Sequence, residues 1–165
     1  RRVPINIFNK LRIIHMKKTV IFDLDGTLAL IDKRRALAAK ANGKINWKTF
    51  FAPENIQLDE PNVPVIEMAK VLKAQGHSVV IFSGRDSISR TETIAWLNQF
   101  GVPFDVLKMR PEGSFTPDDV LKQDWLDQLF PVKSDVLCIF DDRDKVVKMW
   151  RSNGIACFQV APGDF

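Results

Sequence analysis

The stretch Val20-Ile21-Phe22-Asp23-Leu24-Asp25-Gly26-Thr27 runs an apolar segment directly into two aspartates two residues apart, with a glycine next. A strand ending at Asp23 aims one carboxylate beyond the sheet edge, and the turn that follows brings Asp25 back over the same spot. Gly26 lets the backbone pass close to a ligand there. Two carboxylates so placed suit displacement at phosphorus, one attacking and the other handling the proton. Asp and Gly also form ordinary β-turns, so the weight falls on what else the chain brings to this point.

Outward from that stretch, short apolar runs alternate with amphipathic segments of helical period. The alternation predicts a three-layer α/β domain with a mainly parallel sheet. Strands are expected at Thr19 to Phe22, Ser78 to Phe82, Phe104 to Lys108, Val136 to Phe140 and Ile155 to Val160. Between them, Val65, Met68, Ala69 and Leu72 share one helical face, as do Leu121, Trp125 and Leu129, and then Val146, Met149 and Trp150. Gly76, Gly101 and Gly154 each stop a helix just before a strand, where a left-handed residue is commonly needed.

The remaining polar motifs fall at carboxyl ends of strands, where open α/β sheets bind ligands. Ser83-Gly84-Arg85-Asp86 follows Val79 to Phe82 and offers a hydroxyl, bare backbone and a guanidinium, a phosphate cradle at a strand-to-helix junction. Asp141-Asp142-Arg143-Asp144 follows Val136 to Phe140, so an acidic pair should meet Asp23 and Asp25 at the neighbouring strand tip. Four convergent carboxylates repel one another unless a hard divalent cation with oxygen ligands lies among them, and Mg²⁺ fits best.

The pattern hydrophobic-x-Asp-x-Asp-Gly-Thr resembles the first motif of the haloacid-dehalogenase (HAD) superfamily of phosphatases and phosphotransferases. More narrowly, the chain from about Lys18 to Phe165 is similar to the 3′-phosphatase domain of bacteriophage polynucleotide kinase. The specific part is Asp141 through Arg151, with its Val-Val-Lys-Met-Trp-Arg run, then Gly154 to Val160 and the closing Gly163-Asp164-Phe165. The resemblance implies a Rossmann-like HAD fold with only a small cap insertion. It implies Asp23 as nucleophile, Asp25 as general acid and base, and Lys122 as stabiliser of a phosphorylated aspartate. Ser83, Gly84 and Arg85 would bind phosphate, and Asp23, Asp25, Asp141 and Asp142 would form the metal end. Arg34, eleven residues after Asp23, and Asp118, four before Lys122, match further substrate-binding positions.

The resemblance implies a Mg²⁺-dependent phosphatase that removes the 3′-phosphate from DNA or RNA ends through an aspartyl phosphate; a separate kinase or ligase is an open option as partner, on which the sequence is silent. The alternatives are a phosphatase of small metabolites such as mononucleotides and a non-catalytic module that binds phosphorylated ends. No Gly-x-x-x-x-Gly-Lys-Ser/Thr loop occurs in these 165 residues, so 5′ phosphorylation by this chain is not expected. The segment 32–64 is too short for a large cap. Its Trp47, Phe50 and Phe51 stand among Lys33, Arg34, Arg35, Lys40, Lys44 and Lys48, a composition that serves either nucleic-acid contact or a small local core.

Composition sets the outer bounds. A chain of 165 residues, 45% hydrophobic, buries one core. The net charge of +4 resides in Arg1, Arg2, Lys10 and Arg12, and from Met16 onward twenty basic residues match twenty acidic ones. Residues 1–15, basic and without period, are set apart as a leader or expression-derived remnant, with the phosphatase domain at 16–165. No apolar run approaches the roughly 20 residues of a membrane span. Cys138 and Cys157 lie in strand-like runs and read as buried free thiols, in keeping with the cytoplasm, the host's if the chain is phage-encoded. His15 and His77 have no neighbours that make a relay or a zinc site.

Overall fold

Strands β1 (Thr19–Phe22), β4 (Ser78–Asp86), β5 (Val106–Arg110), β6 (Val136–Asp141) and β7 (Cys157–Gln159) form a parallel sheet in the order β5-β4-β1-β6-β7. The computed structural model describes residues 17–165, and the leader 1–15 lies outside the described residues. Between β1 and β4 come a two-residue strand pair, β2 (Ala29–Leu30) with β3 (Glu60–Pro61), the short helices α1 (Asp32–Ala38) and α2 (Trp47–Phe50), and α3 (Val63–Ala74). Helices α4 (Arg90–Gln99), α5 (Asp118–Leu129) and α6 (Asp144–Ser152) make the later crossovers. This is the α/β, HAD-like architecture expected, with a small insertion after β1 in place of a large cap.

The two faces of the sheet divide the core by strand period. Val20, Phe22, Val79, Ile81, Cys138 and Phe140 face one cluster, with Ile66 and Ala69 of α3 and Trp96 and Leu97 of α4. Ile21, Val80, Phe82 and Ile139 face the other, with Leu121, Trp125 and Leu126 of α5 and Val146, Val147 and Trp150 of α6. Adjacent residues on opposite faces, both buried, are what a sheet covered by helices on each side requires. Because β1 is flanked by β4 and β6, its carboxyl end lies between theirs, and the three motif-bearing tips become neighbours.

Local chemistry explains where the boundaries move. β5 begins at Val106 because Asp105 is spent on β4: its amide donates to the Val79 carbonyl at 2.7 Å and its carboxylate accepts from the Val79 amide at 2.8 Å. β7 begins at Cys157 because the Ile155 amide returns to the Trp150 carbonyl at the end of α6. Met68 and Leu129, expected on buried helical faces, are 43% and 41% exposed. The buried stripe of α3 is centred on Val65, Ile66 and Ala69, and Leu129 is the last residue of α5. Gly76, Gly101 and Gly154 have φ of 93°, 63° and 74°, so these helix stops are left-handed. Cys138 and Cys157 are free and buried, and burial pushes their thiols up to about 11 and about 12. Among the described residues no helix is long and apolar enough to cross a membrane.

Candidate active site

Asp23 leaves the end of β1 with its amide bonded to the Phe140 carbonyl at 2.9 Å, which seats it against β6. Its carboxylate is buried and accepts from Lys122 Nζ at 2.7 Å and from Thr27 Oγ1 at 3.2 Å. Lys122, on the inner face of α5, reaches Asp141 Oδ2 at 2.9 Å with the same ammonium. Trp150 of α6 donates Nε1 to that oxygen at 3.1 Å, while Asp141 Oδ1 accepts the amides of Asp142 and Arg143. One lysine, one indole and two backbone amides therefore fix the second carboxylate against the first.

Asp23, Asp141 and Asp142 present carboxylate oxygens within 4.8 Å of one another, all three residues buried. Four convergent carboxylates were the expectation, and the structure brings three. Asp25 is turned toward two guanidiniums: its Oδ1 accepts from Arg34 Nη2 at 2.8 Å, from Arg85 Nε at 3.2 Å and from Arg85 Nη2. The side chain of Asp25, expected among the metal ligands, thus lies outside the trio.

Electrostatics separates the two aspartates of the motif. Burial raises the Asp23 carboxyl well above the carboxylate range; Lys122 opposes this, and Asp141 and Asp142 add to it. Burial pushes Asp25 the same way, but Arg34 and Arg85 outweigh it and hold Asp25 down at about 2. Asp142 is raised to about 6, by burial first and then by Asp141. Burial favours neutral Lys122, yet Asp141 and Asp23 overcome it and keep the ammonium charged far above the ordinary lysine range. Asp23 and Asp142, raised by burial first and by neighbouring carboxylates next, face one locked cation beside Asp141, an arrangement that suits a further positive charge.

The phosphate cradle differs from its expected form. Ser83 to Asp86 continue β4 through an irregularity between Ser83 and Asp86, and α4 starts only after a 3-10 turn at Ser87–Ser89. No helix N-terminus therefore begins at Ser83. The Ser83 hydroxyl is buried and accepts the Arg85 amide at 3.1 Å, closing the bend. At Gly84 a Cβ would stand 2.3 Å from the Asp118 carboxylate, so the missing side chain makes room for Asp118. Asp118 pairs with Arg110 and, at 3.1 Å, with Arg143. Gly26, at φ 87°, is equally constrained, because its Cβ would come within 2.1 Å of an Asp142 oxygen.

Arg34 stands on α1, fully buried, with its guanidinium 4.2 Å from the Phe50 ring centroid. Beyond Asp25 it donates to Asp59 Oδ1 at 2.8 Å and Oδ2 at 2.9 Å. Asp59 Oδ2 also accepts Arg85 Nη2 at 2.8 Å, and Thr93 accepts Arg85 Nη1 at 3.0 Å. Asp59 was not foreseen; in sequence it stands beside Glu60, an acid of the same kind whose side chain is 57% exposed. Trp150 and Thr27 were likewise unforeseen as partners of the carboxylates. Of the residues singled out from sequence, Asp23, Asp25, Ser83, Gly84, Arg85, Asp141 and Asp142 gather at neighbouring strand tips with Lys122 reaching in from α5, and Arg34 and Asp118 flank them.

Residues 17–165 match the family described as the polynucleotide kinase PNKP phosphatase domain, of HAD type. The chain belongs to that family. It is 31% identical over 140 residues to a protein of Autographa californica nuclear polyhedrosis virus named as a bifunctional polynucleotide kinase/RNA ligase, a match spanning 81% of this chain and 18% of the viral one. A solved Pnkp1/Rnl/Hen1 complex contains a chain 33% identical, with a TM-score of 0.73, matched over 90% of this chain and 47% of that one. A haloacid dehalogenase-like hydrolase from Streptococcus pneumoniae, 14% identical with a TM-score of 0.64 over 87% of this chain and 84% of its own, shares the fold. The chain spans less than half the length of the first two relatives, and by family it is a phosphatase domain, the class of phosphoric monoester hydrolases.

Proposed function

We propose that this domain hydrolyses the terminal 3′-phosphate of a polynucleotide through a covalent aspartyl phosphate on Asp23. The observation that carries the reading is the Lys122 ammonium held between Asp23 and Asp141 in a buried site at the meeting of three strand tips. Lys122 opposes the rise that burial and the neighbouring carboxylates impose on Asp23, and would remain to offset charge on the transferring group.

A carboxylate oxygen of Asp23 attacks phosphorus, the bond from phosphorus to the 3′-oxygen breaks, and Asp25 donates its proton to that oxygen. Water then attacks the aspartyl phosphate, Asp25 takes the water's proton, and the bond between phosphorus and the Asp23 oxygen opens to release phosphate. With Arg34 and Arg85 on it, Asp25 is ionised in the substrate-free site. An arriving phosphate competes for the Arg85 guanidinium, frees Asp25 of one cation and lets it take up the proton it must give. Ser83, Gly84 and Arg85 are the proposed phosphate contacts, and Arg34 holds Asp25 in place.

The donor set suits a hard divalent ion: three buried carboxylates, oxygen ligands throughout, within the span one ion bridges. Asp23, Asp141 and Asp142 would hold Mg²⁺, which when bound neutralises their mutual repulsion and polarises the phosphoryl oxygens.

A viral relative 31% identical is named as a polynucleotide kinase/RNA ligase, and a solved structure with a chain 32% identical is described as a Pnkp1/Rnl/Hen1 RNA repair complex. RNA 3′ ends and a neighbouring ligase are therefore the proposed setting, with 5′ phosphorylation left to other chain segments or proteins. Mg²⁺-dependent phosphate release from matched oligonucleotides phosphorylated at the 3′ or the 5′ end tests the reading. Strong 3′ preference supports it; equal release from both ends, or turnover of small esters alone, refutes it.

A further inference from the structure

We propose that Trp47 and Phe115 form a stacking platform that grips the last bases of the strand whose terminal phosphate enters the acidic site. The inference rests on the polynucleotide reading above and adds a subsite to it.

Phe115 is 95% exposed, more than any other large apolar side chain among the described residues. Its exposure is imposed by a pinned loop. Arg110 donates to the Gly84 carbonyl at 2.8 Å and to the Thr116 carbonyl, the Gly113 amide reaches Asp86 at 3.2 Å, and the Ser114 hydroxyl bonds Thr116 at 3.1 Å. A ring held in water by a fixed backbone is poised for a partner outside the chain.

Trp47 approaches from the insertion after β1. Its ring stacks on Phe51 at 5.8 Å and meets the edge of Phe50 at 5.5 Å, yet the residue stays 58% exposed. The two roles open for these aromatics are thereby divided: Phe50 is buried under Arg34 as local core, and Trp47 is displayed.

Trp47 and Phe115 line one cavity of about 960 Å³, together with Ile88 and, at its buried end, Asp23, Lys122 and Asp141. The cavity thus joins a charged pocket for a phosphoryl group to an apolar rim of separate side chains, two of them flat rings. Lys48, next to Trp47, also lines it and, among the described residues, makes no ion pair. A polynucleotide end offers the matching series: a terminal phosphate, then π faces, with backbone phosphates between them for a lysine. Stacking on exposed aromatics beside a basic side chain is how single strands are held without sequence readout.

The test uses wild type, Phe115→Ala and Phe115→Trp on two 3′-phosphorylated strands, one intact and one lacking the bases of its last two nucleotides. On the intact strand Phe115→Ala should raise KM about tenfold with kcat held within about twofold, Phe115→Trp should recover most of the loss, and base removal should shrink the cost of Phe115→Ala to less than about twofold. An equal cost on both strands, or no cost on either, overturns the platform and leaves the rim to another occupant such as a protein partner. Should wild type release phosphate equally well from both strands, the platform fails while the end-healing reading stands. Release from neither strand overturns both.

Discussion

Lys122 donates to Asp23 at 2.7 Å across 99 residues of chain, with both side chains buried. The contact ties α5 to the end of β1 and sets a cation against the carboxylate on which the chemistry depends. Removing the cation leaves Asp23, Asp141 and Asp142 facing one another unbalanced. Lys122→Ala should cost about 3–5 kcal/mol of stability in urea denaturation without divalent ions, the range for stranding a buried charge. Added Mg²⁺ should restore part of that, while activity stays down at least about a hundredfold. A variant as stable as wild type in chelator would show that the pair does not carry this charge.

Asp59 organises two arginines rather than touching the reacting atoms. With its carboxylate bonded to Arg34 and Arg85, both guanidiniums stay aimed at Asp25. Asp59→Asn keeps the shape but weakens both pairs, so kcat should fall about 10- to 100-fold while KM for the phosphorylated strand changes less. Unchanged kcat would remove Asp59 from the positioning network.

Gly26 and Asp142 compete for the same space, since a Cβ at Gly26 would stand 2.1 Å from an Asp142 oxygen, in a backbone region that L side chains rarely adopt. Gly26→Ala should displace Asp142 and raise the Mg²⁺ concentration for half-maximal activity by about tenfold or more. A Mg²⁺ dependence matching wild type would place Asp142 away from the ion.

Stability should depend on pH without metal and lose that dependence with it. Asp142 is raised to about 6 from an unfolded value near 3.8, so its proton binds the folded state more tightly. That contribution is fully present below about pH 4 and is lost as pH rises through 6. Asp23, also raised, works in the same direction. In chelator, Tm should therefore climb as pH falls from 7 to 5. Saturating Mg²⁺ should abolish that climb, because the ion replaces the proton; the same slope in both conditions would contradict the cluster as a cation site.

The fold was legible because strand period and helix period alternate cleanly, and because both faces of the sheet are covered. Val20 and Phe22 against Ile21 is the sheet's division written in three residues. Asp23, Ser83 and Asp141 were legible because each follows an apolar strand directly, and topology gathers strand ends. Lys122 needed the resemblance, since a lysine on a helix carries no local mark of burial. Asp59 was invisible because its meaning lies in Arg34 and Arg85, which are 25 and 26 residues away. Phe115 was invisible for the opposite reason: exposure on a pinned loop depends on Arg110 and Asp86, not on its own neighbours in sequence. The Ser83 bend was misplaced at a helix start because a strand irregularity and a helix cap draw on the same Ser-Gly-x-Asp vocabulary.

The central claim, covalent transfer to Asp23, is tested most directly by acid-quenching the reaction of a strand carrying a radiolabelled 3′-phosphate and locating the label by peptide mapping. Wild type should show transient label on the peptide containing Asp23, Asp25→Asn should show a smaller yield or slower turnover of the same adduct, and Asp23→Asn should show none while retaining its fold. Label on another residue, or rapid phosphate release by Asp23→Asn, would contradict the account.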